Sequence, residues 1–324
     1  MRALAALAGL GALALLPFVL SPYHMTLLLP MLGYGIALLG LNLLFGQGGL
    51  VSFGHAMFVA AGAYAAAAMG SRLGVRSLEF SLLAAIGASL VLAIPIGLLC
   101  VRYTKIFFGM LTLAFGMLFH SFLFKFYDIT GGDQGMRLPR PTILGNGFPD
   151  LSKTEYLTGP FYWAALLLFA IAAFVMWRIV QSPLGLALRA QRENARKAEY
   201  LGIEVHRARF VAFVISAAYG AMGGVLLAVP TGLADPELAY WTHSGVLVFM
   251  TLLGGFGHFL GPVVGAAAYV LLQDTLMSHT PYWRLAMGAL LALIVVAFPG
   301  GLMGVADLVR RRAGTPDRRA VRPA

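Results

Sequence analysis

The side chains of this chain that could do chemistry are few and widely separated. His55, His120 and Asp274 stand inside hydrophobic runs, each on a different one. A proton or ion relay through a membrane needs such groups in succession along one route, and three scattered positions do not make one. As the lone acid in a late apolar run, Asp274 is expected near the outer interface, where its charge keeps water. Cys100 is the only cysteine and lies in an apolar run, so it reads as a packing residue, with neither a disulfide nor a cysteine metal site expected. The chain contains no GxxxxGK[ST] phosphate loop, no HExxH and no GxSxG, which removes an ATPase engine and the commonest hydrolase signatures. No catalytic residues, no metal and no cofactor bound by this chain are expected.

Four segments carry the remaining information. Phe45–Tyr64 reads FGQGGLVSFGHAMFVAAGAY, with four glycines in its first ten residues alongside Gln47, Ser52 and His55. Glycines at membrane depth permit close helix packing, and they also unwind helices where protein or a water-filled cavity satisfies the freed backbone. Gly46, Gly48 and Gly54, with Gln47, Ser52 and His55, are therefore candidate pathway residues. A plain packing motif is the competing reading, with Ala56, Ala60 and Ala63 at helical spacing and His55 bonded to a neighbouring backbone. The second segment, Thr130–Met136, reads TGGDQGM. Thr130, Gly131, Gly132 and Asp133 form either an ordinary tight turn or a cradle of N–H groups for an anion.

The third segment, residues 182–209, is the one long charged stretch between hydrophobic runs. Ser182 with Pro183 is a helix start signal and Gly202 a stop. Arg189, Arg192, Glu193, Arg196 and Lys197 fall on one face, with Leu184, Leu188, Ala195, Ala198 and Leu201 on another. Glu193 and Lys197 are spaced for an ion pair. Such an amphipathic helix lies on lipid headgroups or docks in a partner's groove, and composition does not choose between these. The fourth, Leu252–Ala266, reads LLGGFGHFLGPVVGA. Its Gly257-His258 pair echoes Gly54-His55, a weak sign of internal duplication.

These segments are set in a chain of 324 residues that is 60% hydrophobic and 11% charged, against about 25% charged in soluble domains. This is the composition of an all-α polytopic membrane protein. The formal charge of +10 does not point to nucleic acid, because the bases lie between and after hydrophobic runs rather than along a stripe. Runs of spanning length occur near 3–20, 25–45, 54–71, 80–101, 106–124, 161–180, 210–230 and 285–305. The first also resembles a secretory signal, but no small-x-small cleavage site is well placed and Pro17 and Pro22 crowd the expected position, so it is kept as a helix.

Orientation follows positive charge. The central insert holds Arg189, Arg192, Arg196, Lys197, Arg207 and Arg209, and the tail from Arg310 is rich in arginine. Both belong in the cytoplasm, the tail (310–324) as a basic, disordered end and residues 1–309 as one transmembrane domain. Residues 125–160 balance their charges and 231–243 hold only Asp235 and Glu237, so both belong outside. An even number of crossings must then separate insert from tail. Residues 244–278 accordingly cross twice, hinged on their glycines, giving about ten helices, or else re-enter.

Taken in order, GQGGLVSFGHAMFVAAGAY, TGGDQGM, SPLGLALRAQRENARKAEYLGI with the following FVISAAYGAMGGVLLA, and LLGGFGHFLGP resemble the LivM-type permease subunits of branched-chain amino acid ABC importers. The likeness runs from about Leu38 to Gly304, with Met136 where leucine is more usual. It implies that the insert is a coupling helix seated in a separate ATPase subunit through Arg189, Arg192, Glu193, Leu201 and Gly202. It further implies two ATPase subunits carrying ATP and Mg, a second related permease subunit and an external solute-binding protein. The location implied is a bacterial plasma membrane, with both termini cytoplasmic. A urea or short-chain amide permease of the same architecture is the alternative. In a Cys100→Ser background, a cysteine introduced at Glu199 should react with an impermeant maleimide only after the membrane is opened; labelling of intact cells would overturn this orientation.

Overall fold

A computed structural model describes residues 11, 13–297 and 300–304 of the chain. The start of the first hydrophobic run and the basic tail lie outside the described residues. Among the described residues, the longer helices that set the architecture are α1 (Pro22–Asn42), α2 (Ala56–Ser71), α3 (Leu78–Cys100), α4 (Lys105–Lys125), α5 (Tyr162–Gln181), α6 (Pro183–Tyr200), α7 (Val205–Thr231), α8 (Trp241–Gly254), α9 (Gly261–His279) and α10 (Trp283–Ala297). A two-residue antiparallel ladder, β1 (Met136–Arg137) on β2 (Leu233–Ala234), joins the two loops expected outside. What is described of the first run, Leu13–Leu20, packs on the core, and the Tyr162 hydroxyl donates to the Leu13 carbonyl at 2.7 Å.

The protein is a multi-pass membrane protein, and its helices are of unequal length. Five are long and apolar enough to span: Pro22–Gln47, Leu78–Cys100, Lys105–Lys125, Lys153–Gln181 and Val205–Thr231. Three apolar helices are shorter, Ala56–Ser71, Trp241–Gly254 and Trp283–Ile294. At 1.5 Å per residue, α2 rises only about 24 Å, short of a full hydrocarbon core of about 30 Å. Thus the roughly ten spans expected resolve, among the described residues, into a mixture of full crossings and shorter helices. Residues 244–278 form a helical hairpin, α8 and α9, that turns at 255–260. A Cβ on Gly254 would strike the Gly261 carbonyl oxygen and one on Gly265 the Met250 carbonyl oxygen; the glycines let the two arms close.

α1 is the spine. It supplies Leu29, Leu32, Ile36 and Leu39 to one hydrophobic cluster, shared with α2, α3, α5 and α7. Its other face supplies Ala37, Leu38 and Leu41 to a second cluster, shared with α8, α9 and α10. In the most apolar stretch of α1, 78% of residues are buried, and in α7 61%, against 28% in α3 and α4 and 33% near α5. Helices apolar all round yet little buried face lipid, so α3, α4 and α5 form the rim and α1 and α7 the centre.

Which loops share an end follows from which ends meet. α7 leaves the insert and ends at β2, paired with β1 after α4. Gly70, at the end of α2, packs on Pro139. The loops 126–161 and 231–240 therefore share one end and α6 lies at the other, as charge predicts.

Between α2 and α7 the backbones nearly touch. A Cβ on Gly224 would be driven into the Val59 carbonyl oxygen, and one on Gly62 into that of Ala221. Small residues at such crossings permit the close packing that holds membrane helices together. Gly224→Val should therefore destabilise by the overpacking cost of about 1–3 kcal/mol or more, read as a lowered unfolding temperature in detergent. Gly245→Ala, where a Cβ meets nothing within 4 Å, should leave that temperature unchanged or raised.

Candidate functional site

α1 does not end cleanly. Its last turn widens into a π-helix over Leu43–Gln47, and the chain then runs without helix to His55 before α2 begins. This break starts at the end of α1 and reaches the middle of the bundle. Gly54 crosses the backbone of Thr112, midway along α4, and His55 meets Gly220, midway along α7. The expected unwinding is present, and some of the freed groups bond to neighbouring helices. The Ser244 hydroxyl of α8 accepts from the Ala56 N–H at 3.0 Å, capping α2 from a neighbouring helix. Thr112 Oγ1 accepts from the Phe53 N–H at 3.3 Å and donates to the Gly109 carbonyl at 2.9 Å.

The break is non-helical, and burial alternates along it. Leu50, Ser52 and Gly54 point inward, while Gly49 and Phe53 are exposed and Val51 is half-buried. Most of the candidate pathway residues consequently lie on the inner face: Gly46, Gly48, Ser52, Gly54 and His55 are buried, and Gln47 is half-buried. His55 is not bonded to a neighbouring backbone as the packing alternative supposed. Neither ring nitrogen has a hydrogen-bond partner among the described residues, and the ring packs edge-on to Phe58 at 5.6 Å. The outer face, Gly49, Val51 and Phe53, escaped sequence reasoning. Its signal is the period-two alternation of a strip masked by a helical neighbourhood. Phe53 rests on Gly109 of α4, and Val51 packs on the cluster holding Leu247 and Met250 of α8.

The charged insert is a helix, but not one straight rod. Asn194, at φ −158° and ψ 104°, breaks α6 into two pieces, and its side-chain oxygen accepts from the Lys197 N–H at 3.1 Å, starting the second piece. Three expectations fail for this reason or for a local one. Glu193 and Lys197 straddle the break, so helical spacing is lost and no ion pair forms between them; among the described residues the recorded salt bridge is Arg207–Glu204. Leu201 leaves the apolar face and stands 80% exposed, beside Tyr200 at 89%. The inward residues are Gly185, Leu188, Gln191 and Ala198. Ser182 occupies the cap position, yet its hydroxyl donates back to the Ile179 carbonyl at 2.6 Å. Gly202, at φ +81°, ends the helix as expected, in a conformation that suits glycine.

Arg189 and Arg192 turn toward their own chain. Arg189 Nη1 donates to Gln47 Oε1 at 3.1 Å and to the Val180 carbonyl at 3.2 Å. Arg192 Nη1 donates to the Gly46 carbonyl, and its guanidinium lies 5.5 Å from the centre of the Phe256 ring. The first and third polar segments are therefore in contact, which spacing along the chain does not reveal. Glu193, Tyr200, Leu201 and Gly202 are exposed.

The turn at Thr130–Met136 is a structural one. Gly131 and Gly132 have φ of +80° and +59°. The Thr130 hydroxyl is buried against the Leu123 and Phe126 carbonyls at 2.5 and 2.8 Å. The N–H groups of Gly131, Gly132, Gln134 and Gly135 are all taken up within residues 127–135, so they do not form an open anion cradle; Asp133 is exposed. Asp274 sits at the end away from α6, where it accepts a 2.5 Å hydrogen bond from Tyr23 at the start of α1.

The sequence model of the family described as branched-chain amino acid transport system / permease component matches residues 23–296. The high-affinity branched-chain amino acid transport system permease protein LivM of Escherichia coli K12 is 29% identical over 307 aligned residues, 89% of this chain and 71% of that protein. The corresponding LivH protein of Salmonella typhimurium LT2 is 26% identical over 84% of this chain and 91% of its own length. The autoinducer 2 import system permease protein LsrC of Escherichia coli O157:H7 is 27% identical over a shorter stretch, 46% of this chain and 45% of that protein. No solved structure gives a significant match. With the family match running from the start of α1 almost to the end of α10, around a broken spine and an amphipathic insert, this chain belongs to the permease components of branched-chain amino acid transport systems.

Proposed function

We propose that this chain is the membrane-spanning subunit of an ATP-driven importer of branched-chain amino acids. It works with two ATPase subunits, a second related permease subunit and a solute-binding protein that delivers substrate to the outer face. The membrane is a bacterial plasma membrane, the inner one in a Gram-negative cell, with α6 and both termini in the cytoplasm. The observation that carries this reading is the exposed tip of α6 on a chain of this family. Tyr200 and Leu201 are large, apolar and almost bare, next to exposed Glu193 and Gly202. An aromatic–aliphatic pair on a short helix is the kind of anchor that docks in a partner's groove.

ATP binding to the ATPase pair would move α6, and the helices attached at its two ends, α5 and α7, would shift with it. Two access states of different affinity for nucleotide-bound partners are sufficient for transport, and no bond in the substrate need change. The pathway runs between permease subunits, along the outward face of the broken strip, Gly49, Val51 and Phe53. Val51 and Phe53 on that face are apolar, which suits a zwitterion with an aliphatic side chain and suits polyanions poorly.

In vesicles carrying the assembled complex and its solute binder, ATP should drive accumulation of leucine, isoleucine and valine; accumulation of urea with none of these would overturn the substrate assignment. Burying a side chain of this size contributes about 1.5–3 kcal/mol. Tyr200→Ala with Leu201→Ala should therefore weaken ATPase association by about tenfold or more, seen as loss of co-purified ATPase from a permease that still inserts. Full recovery of the ATPase subunits with this variant would remove the tip from the docking surface.

A further inference from the structure

We infer that Arg192 is a positioning residue that transmits movement of the docking helix to the non-helical strip between α1 and α2, rather than a contact to the ATPase. This rests on the function proposed above and assigns a specific link within it.

The geometry is that of a cap supplied from another element. The last carbonyls of a helix lack intrahelical partners and carry partial negative charge. At the end of α1, the carbonyls of Leu43, Leu44 and Phe45 are met by the N–H groups of Gly48, Leu50 and Gly49 at 3.0–3.2 Å. The next carbonyl, that of Gly46, is met by the Arg192 guanidinium. A charge-assisted hydrogen bond onto a helix C-terminus is among the stronger polar links available to a side chain. The arginine stem also runs against Gly49, whose φ of +68° and closeness to Arg192 Cγ leave no room for a side chain.

The same guanidinium reaches a third element. It lies over Phe256, in the α8–α9 turn, and Phe256 stacks on Phe45 at 5.0 Å. Asn42 Nδ2 donates to the His258 carbonyl of that turn at 3.4 Å. Arg192 thus ties α6 to the end of α1 and to the tip of the hairpin, and the strip 48–55 starts two residues beyond its anchor. Since Asn194 separates the Arg192 piece of α6 from the exposed tip, one piece is free to dock while the other holds the spine. Displacing α6 would pull on Gly46 and reorient the Gly49–Phe53 face with it.

The test uses the full complex with its ATPase subunits. Arg192→Gln should leave ATPase co-purification and basal ATP hydrolysis near wild type while ATP-driven leucine uptake falls about tenfold, within the usual range of coupling between sites. Arg192→Lys, which keeps the charge and loses the planar stack, should fall between the two. Phe256→Leu probes the same link with the arginine intact, and should lower uptake per ATP hydrolysed even if Arg192→Gln assembles poorly. A spin-label pair on Val51 and Val246 should change its distance on ATP binding in wild type and not in Arg192→Gln. Loss of ATPase co-purification in Arg192→Gln alone would make the arginine a docking contact and overturn the inference, as would unchanged uptake in all three variants. Absence of ATP-driven uptake in wild type would instead overturn the proposed function.

Discussion

Inside a bilayer, a backbone N–H or C=O that loses its helical partner must find another within the protein, because no water is there to supply one. The central helix of this chain ends in a non-helical strip that reaches mid-bundle, and several groups around that strip help to meet the demand. Ser244 caps α2, Thr112 holds Phe53, and Arg192 takes the Gly46 carbonyl. Three other elements, α8, α4 and α6, are thereby required to sit where they do. The break is a joint where the bundle is stitched together.

That joint lies on the helix that both hydrophobic clusters share. α1 is buried on two faces, one toward α2, α3, α5 and α7 and the other toward α8, α9 and α10. Close glycine crossings let α2 and α7 pack backbone to backbone beside it. A spine packed on both sides moves as a body or at its breaks. The π-turn at Leu43–Gln47 and the strip beyond it are the part of α1 least bound by helical hydrogen bonds. In an importer, the exposed tip of α6 would receive a partner's motion, and the nearest joint able to yield is the one its arginines hold.

The two glycine breaks show how alike sequences serve different ends. Gly54-His55 and Gly257-His258 each stand in a non-helical stretch between two helices, as the echo between them implies. One stretch reaches mid-bundle, against Thr112 and Gly220, while the other stays at the α6 end, beside Gly46 and Arg192. The likeness is therefore one of local form and not of depth.

What the sequence by itself determined was the solvent and the punctuation. Apolar runs of spanning length, bases gathered in the insert and glycines clustered at two breaks follow from the energetics of burial and from backbone freedom, which act locally and are written in consecutive residues. Family membership was legible for the same reason, in strings such as LRAQRENARKAEYLGI. The tertiary structure alone decided which face of the strip points outward, because a one-residue shift in an extended segment turns every side chain over. It also decided that Asn194 bends α6, parting Glu193 from Lys197, that Leu201 is exposed, and that Arg189 and Arg192 reach across to the end of α1. Their acceptors, Gln47 and Gly46, lie over 140 positions earlier in the chain. A free carbonyl at a helix end attracts a cation wherever the fold brings one, and no spacing rule along the chain records that meeting.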